Sequence, residues 1–156
     1  MASKKMAIIA TKGALDMAYP PLILASTAAA LGWEVQIFFT FYGLQLLRKD
    51  LSGIAISPIG NPAMPMPVPM PVLVSALPGM EAMATSMMKA KMKKKGVASL
   101  EELRSLCQEA EVKFIACQMT VDLFEFSKSD FIDGIEYGGA ATFLTFAGET
   151  DVCLFV

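Results

Sequence analysis

The stretch MAIIATKGALDMAYPPLILASTAAALGWEVQIFFT, residues 6–40, decides the fold. Met6-Ala-Ile-Ile-Ala-Thr11 is a short continuous apolar run closed by Lys12-Gly13, the pattern of a strand buried on both faces. Asp16 stands where an N-cap is wanted, and an Ala- and Leu-rich run follows to Leu31. Pro20 and Pro21 are expected near the first turn of that helix, and Gly32 sits at its C-terminal stop. Trp33-Glu-Val-Gln-Ile-Phe-Phe-Thr40 is a second strand. Strand, helix and strand with no hairpin turn make a βαβ unit, which requires a parallel sheet.

Working outward, Phe41–Lys49 reads as a short helix. Asn61-Pro-Ala-Met-Pro-Met-Pro-Val-Pro-Met-Pro71 alternates with proline and favours an extended or polyproline II path. Gly79–Lys95 reads as a helix with methionines at 80, 83, 87 and 88. Its lysines gather at the C-terminal end, where the macrodipole favours them. Ser99-Leu-Glu-Glu102 is a capping box opening a helix to about Ala110. Val112–Cys117 is a third strand, Met119–Phe126 a short helix, and Ile132–Tyr137 a fourth strand. Gly138-Gly139 precedes an apolar helix ending near Gly148, and Val152–Val156 is a fifth strand. The order implies one α/β domain over residues 1–156. Its frame is an open, mainly parallel five-stranded sheet with helices on both faces, carrying a Met/Pro-rich insertion at about 58–95.

Composition narrows the chemistry. The 156 residues include 54% hydrophobic ones and 12 methionines, with a net charge of −2. That charge argues against a nucleic-acid binder, which needs a strongly basic face. The one dense basic run is Lys89, Lys91, Lys93, Lys94 and Lys95. It reads as a solvated helix end, or as a dock for an acidic partner or an anionic membrane surface. No histidine occurs, which removes Cys-His and Ser-His-Asp catalysis and histidine-ligated metals. Cys107, Cys117 and Cys153 form no CxxC pair, so no metal site or bound cofactor is expected. The sparse odd count fits a reducing, cytoplasmic setting. The N-terminus lacks the apolar stretch of a signal peptide. No charge falls between Asp50 and Glu81, but seven prolines inside that interval exclude a spanning helix, leaving peripheral membrane contact as an option.

Ligands of open α/β sheets bind beyond the carboxyl ends of the strands. Of the side chains expected there, Cys117 is the strong nucleophile. A strand end followed by a helix start presents the sulfur and lowers its pKa through unpaired N–H groups. Thr120, one turn on, is placed to donate to a thiolate or persulfide. Gly138 and Gly139 offer backbone amides to an anionic sulfur group. Asp16 is a candidate to steer substrate, though its N-cap role already accounts for it. The alternative for Cys117 is a buried, inert thiol, since free cysteine is among the most buried residue types. Cys107 and Cys153 read as core. The Met-x-Met pattern offers soft ligands for copper(I), but no cysteine or histidine accompanies it. An adaptable apolar surface for a partner, or a lid on the protein's own core, are the other readings of that segment.

Three segments together resemble the DsrE/DsrF-like family: FFTFYGLQLLRK (Phe38–Lys49), KFIACQMTVDLF (Lys113–Phe124) and GIEYGGAATFL (Gly134–Leu144). They are most similar to its branch with an inserted Met/Pro-rich segment. The resemblance implies a flavodoxin-like fold, assembly into homo-oligomers (trimers, tetramers or hexamers) and a sulfur-trafficking role. In that role the cysteine falling at Cys117 carries sulfane sulfur as a persulfide or thiosulfonate. It implies TusA-like carriers and rhodanese-type sulfurtransferases as partners. Two other functions stay open on the residues: a peroxide-reducing or redox-sensing thiol protein, and a non-catalytic module that binds a protein or a membrane.

Overall fold

The computed structural model describes residues 3–58, 65, 67, 68 and 70–156. Five strands form one sheet: β1 (Lys5–Ala10), β2 (Glu34–Phe39), β3 (Lys113–Cys117), β4 (Glu136–Gly138) and β5 (Val152–Phe155). Their spatial order is β4-β3-β2-β1-β5, and every pairing is parallel. The βαβ unit is present as expected, with β1 and β2 paired from Lys5↔Glu34 to Ala10↔Phe39. The strand order reverses between β1 and β5.

Two faces of unequal depth result. One is covered by α1 (Leu15–Ala30), α4 (Leu100–Glu109) and the segments after β2 and β3, and it holds the larger core. Ile8, Ile37, Phe114 and Leu22 are fully buried there. The other face is covered, among the described residues, by α6 (Ala140–Ala147). Residues of adjacent parallel strands in register share a face, and the side alternates along each strand. Ala7, Phe38, Ile115 and Cys117 therefore all point to the α6 side, where they pack against Phe143 and Phe146. Phe38 stacks on Phe143 with ring centroids 5.2 Å apart.

Several local expectations are corrected. α1 begins at Leu15 with Ala14 as N-cap, so Asp16 lies inside the first turn and does not cap the helix. Its Oδ1 accepts instead from the Ser57 backbone N–H at 2.8 Å, pinning the chain after β2 to the start of α1. Pro20 and Pro21 sit in the second turn of α1, deeper than expected, leaving the Asp16 and Met17 carbonyls without an i+4 donor. Burial of Pro21, Leu22 and Ala25 against the core offsets that loss. Phe41–Leu47 is a 3-10 helix, tighter than an α-helix. The fourth strand is only Glu136–Gly138. Ile132 instead gives its N–H to Leu47 O at 2.9 Å, beside an antiparallel bridge between Arg48 and Phe131.

The capping box is as read: Glu102 N donates to Ser99 Oγ at 3.2 Å and Ser99 N to Glu102 Oε2 at 2.6 Å. The methionine- and lysine-bearing helix is α3 (Met80–Lys94), preceded by a single turn, α2 (Val72–Ser75), that the sequence reading missed. The polyproline II path of Asn61–Pro71 falls mostly outside the described residues, as does the Met64/Met66 pair. Among the described residues no helix is long and apolar enough to cross a membrane.

Candidate functional site

Cys117 is the last residue of β3 and the N-cap of α5 (Gln118–Leu123). The strand ends there because Gln118 turns helical, so the sulfur sits at the carboxyl edge of the sheet. Cys117 is only 5% exposed and lies beneath α6. Cys117 pairs with Gly138 of β4, and Gly139, the next residue, is the N-cap of α6. On the other side Phe39 pairs with Ala116, so Thr40 stands beside Cys117 one step beyond the last pair.

The polar surroundings are hydroxyls and amides. Thr120, fully buried, shares a hydrogen bond with Thr40 through their Oγ1 atoms at 3.2 Å. Phe41 N–H donates to the same Thr120 Oγ1 at 3.3 Å. In the Thr40–Thr120 pair one hydroxyl donates to the other, and the one that accepts keeps its own O–H free for the sulfur. Burial pushes the Cys117 thiol up. The Thr120 hydroxyl and amide, the Thr40 hydroxyl and the Met119 amide outweigh it and hold the pKa below the ordinary value. As a neutral thiol Cys117 closes no capping hydrogen bond. The donors therefore act on the thiolate, the form that draws them in.

This arrangement depends on an unusual backbone. Phe41 has φ 48°, a left-handed conformation that a bulky residue rarely adopts. It turns the chain sharply after β2 and aims its N–H at Thr120. The turn then presses onto the end of β1: a Cβ on Gly43 would lie 2.1 Å from Ala10 O, and one on Gly13 would lie 2.5 Å from Tyr42 O. Glycine is required at both places by closeness of approach. Tyr42, turned outward and 66% exposed, stacks on Phe124 with centroids 6.1 Å apart. Phe41, Met119 and Leu123, in the segments that follow β2 and β3, are exposed as well and give the carboxyl ends of those strands an apolar rim.

The structure thus joins Cys117, Thr120, Gly138 and Gly139, and leaves Asp16 engaged with Ser57. Thr40, Phe41 and the Met119 amide are additions. Thr40 closes a legible strand, but its place beside Cys117 follows from β2 and β3 being neighbours, which the chain order does not state.

The other cysteines are set apart. Cys107 lies in the larger core on the opposite face, donates to Leu22 O at 3.4 Å, and is pushed up to about 11 by burial. Cys153 is exposed on edge strand β5, a correction to its reading as core. It shares a register row with Lys113, three strands from β3 and four residues short of Cys117. At about 4.8 Å per strand and 3.3 Å per residue the two are roughly 19 Å apart, well beyond disulfide reach.

Comparison with known proteins identifies the family. The chain is 69% identical over 160 residues to the sulfur carrier protein DsrE2 of Allochromatium vinosum, covering 100% of both chains. It is 34% identical over 159 residues to the uncharacterized protein YrkE of Bacillus subtilis, covering 99% of this chain and 98% of that one. The crystal structure of the ychN protein from E. coli aligns with a TM-score of 0.54 over 98% of this chain and 99% of that one. Its 13% sequence identity makes this a likeness of fold alone. Residues 2–155 match the family profile from end to end, and the chain belongs to the DsrE/DsrF/DrsH-like family.

Proposed function

We propose that the protein is a sulfur carrier that holds sulfane sulfur on Cys117. The observation that carries this reading is a lone thiol at a sheet edge whose pKa is lowered by hydroxyls and amides, with no second thiol in reach. The name of the Allochromatium relative supports it. In the step with a persulfide donor, the Cys117 thiolate attacks the outer sulfur. A new S–S bond forms, the donor's S–S bond breaks, and the donor leaves as a thiolate. An acceptor thiolate then takes the outer sulfur from Cys117 by the same displacement, so no external oxidant or reductant enters. A thiosulfonate is the other form in which the sulfur is held. The amides of Gly138 and Gly139 and the hydroxyls of Thr40 and Thr120 are the groups suited to its anionic oxygens.

Partners on this reading bear thiols: a TusA-like carrier or a rhodanese-type sulfurtransferase, meeting the apolar rim of Phe41, Tyr42, Met119 and Leu123 in the cytoplasm. Homo-oligomers fit the thinly covered α6 side, where Leu144 and Phe155 are exposed. An internal thiol–disulfide redox cycle is disfavoured by the positions of Cys107 and Cys153. The test is intact mass after exposure to polysulfide, thiosulfate or tetrathionate. Wild type should gain sulfur or thiosulfonate mass, and Cys117→Ser should gain none. An unmodified wild type, or an adduct surviving in Cys117→Ser, would sink the proposal.

A further inference from the structure

We propose that the α2–α3 segment docks on anionic phospholipid membranes. α2 packs on α3, and α3 packs on the body through Thr85, Met88 and Met92, whose spacing puts them on one side of the helix. Met83, Met87, Ala90 and Lys94 lie on the opposite side and are all exposed. Leu73 of α2 is 82% exposed, and Val72 and Leu77 are exposed beside it. Aliphatic side chains and methionines in such number on one segment mark a surface that another phase or molecule covers.

Charge identifies the cover. Residues 65–96 carry five lysines and one glutamate, whereas the rest of the chain carries eight cationic and fourteen anionic side chains. All five lysines are exposed, and none closes a salt bridge among the described residues. Glu101 and Glu102 line the same cleft as Lys89 and Lys93 without pairing with them. A cationic end joined to an exposed apolar stripe fits a bilayer surface: the aliphatic groups enter the acyl boundary, and the long lysine side chains reach up to the headgroups. A nucleic acid would use the charge and leave the aliphatics wet. A symmetric contact between two copies through this patch would set lysines against lysines.

The test is sedimentation of the full-length protein with vesicles of phosphatidylcholine alone and of phosphatidylcholine mixed with phosphatidylglycerol, at low ionic strength. Pelleting is expected only with the phosphatidylglycerol vesicles. Each lysine near an anionic surface is worth a factor of about five, so the triple change Lys91→Gln, Lys94→Gln, Lys95→Gln should weaken partitioning about a hundredfold. The double change Leu73→Ser, Met87→Ser should also weaken it while leaving retention on heparin unchanged. An unaltered circular dichroism spectrum and Cys117 alkylation rate show that these variants are folded. Failure of wild type to pellet with the anionic vesicles, or pelleting that ignores the lysine changes, overturns the proposal. Pelleting that ignores the Leu73 and Met87 changes also overturns it, in favour of a general polyanion site for nucleic acid or an acidic protein.

Discussion

Thr120→Val separates electronic activation of Cys117 from its mere position. The variant keeps the shape of a fully buried side chain and removes one hydroxyl. It strands two groups, the Phe41 N–H at 3.3 Å and the Thr40 hydroxyl at 3.2 Å, at a stability cost of about 1–3 kcal/mol. At sulfur it removes a hydrogen bond to a charged group, worth about 1.5–3 kcal/mol. That is a factor of roughly 10 to 150 in thiolate population at neutral pH. A less stabilised thiolate is a better nucleophile, and a Brønsted slope near 0.4–0.5 returns close to half of the loss on a logarithmic scale. The net expectation is iodoacetamide alkylation slowed about three- to tenfold at neutral pH. Well above the ordinary thiol value of 9.0 both proteins are thiolates, and there Thr120→Val should react faster than wild type. The rate–pH curves must therefore cross. A variant slower at every pH would mean that Thr120 acts by packing, and superimposable curves would mean that its hydroxyl does not reach sulfur. Either result refutes the activation argument.

Cys107 gives an alkaline signature of its own. The unfolded chain ionises this thiol near 9.0 while the folded chain keeps it protonated until about 11. Stability is therefore intact below the lower value and falls as pH rises through this window, by up to roughly 2–3 kcal/mol; urea midpoints across it should fall in wild type and flatten in Cys107→Ala. Gly43→Ala forces a Cβ to within 2.1 Å of Ala10 O and should cost about 3 kcal/mol, read as a lowered melting temperature. Gly139→Ala is expected to leave the melting temperature nearly unchanged, because nothing lies within 4 Å of the added Cβ and φ is −107°. Ser99→Ala breaks the capping box of α4 and should cost about 1 kcal/mol in urea unfolding.

The sheet was legible because its strands are apolar runs with glycine or charge at their ends, and because the three central ones, β1, β2 and β3, are buried on both faces. Where burial is weaker, reading failed. Ile132–Tyr137 has the composition of a strand, but its first half is captured by Leu47 and Arg48, a contact of long sequence range. Asp16 has the chemistry of an N-cap, yet Ala14 takes that position because Leu15 N donates to Ala55 O at 2.8 Å. A tertiary hydrogen bond there replaces a local one. At the site, Cys117 and Thr120 were legible from the strand-to-helix transition, since both lie on one short segment. Thr40 was not, because its role is a matter of strand order. Phe41 escaped too, as nothing in its side chain announces a left-handed backbone.

The uneven covering of the sheet bears on the kinetics expected of a sulfur-carrying Cys117. Cys117 is buried in one cluster with a helix of 8 residues that has no side-chain N-cap, so on the proposed function a bulky partner would reach sulfur only if that helix lifted. Short elements open locally at a small fraction of the global unfolding free energy. Exchange at Cys117 would then be governed by two factors: the thiolate fraction set by Thr40 and Thr120, and the fraction of time α6 is open. A change that strengthened α6, such as Gly139→Ser supplying the missing cap, would steady the fold and retard traffic at the sulfur together. Thermal robustness and sulfur turnover would then be opposed through one eight-residue element.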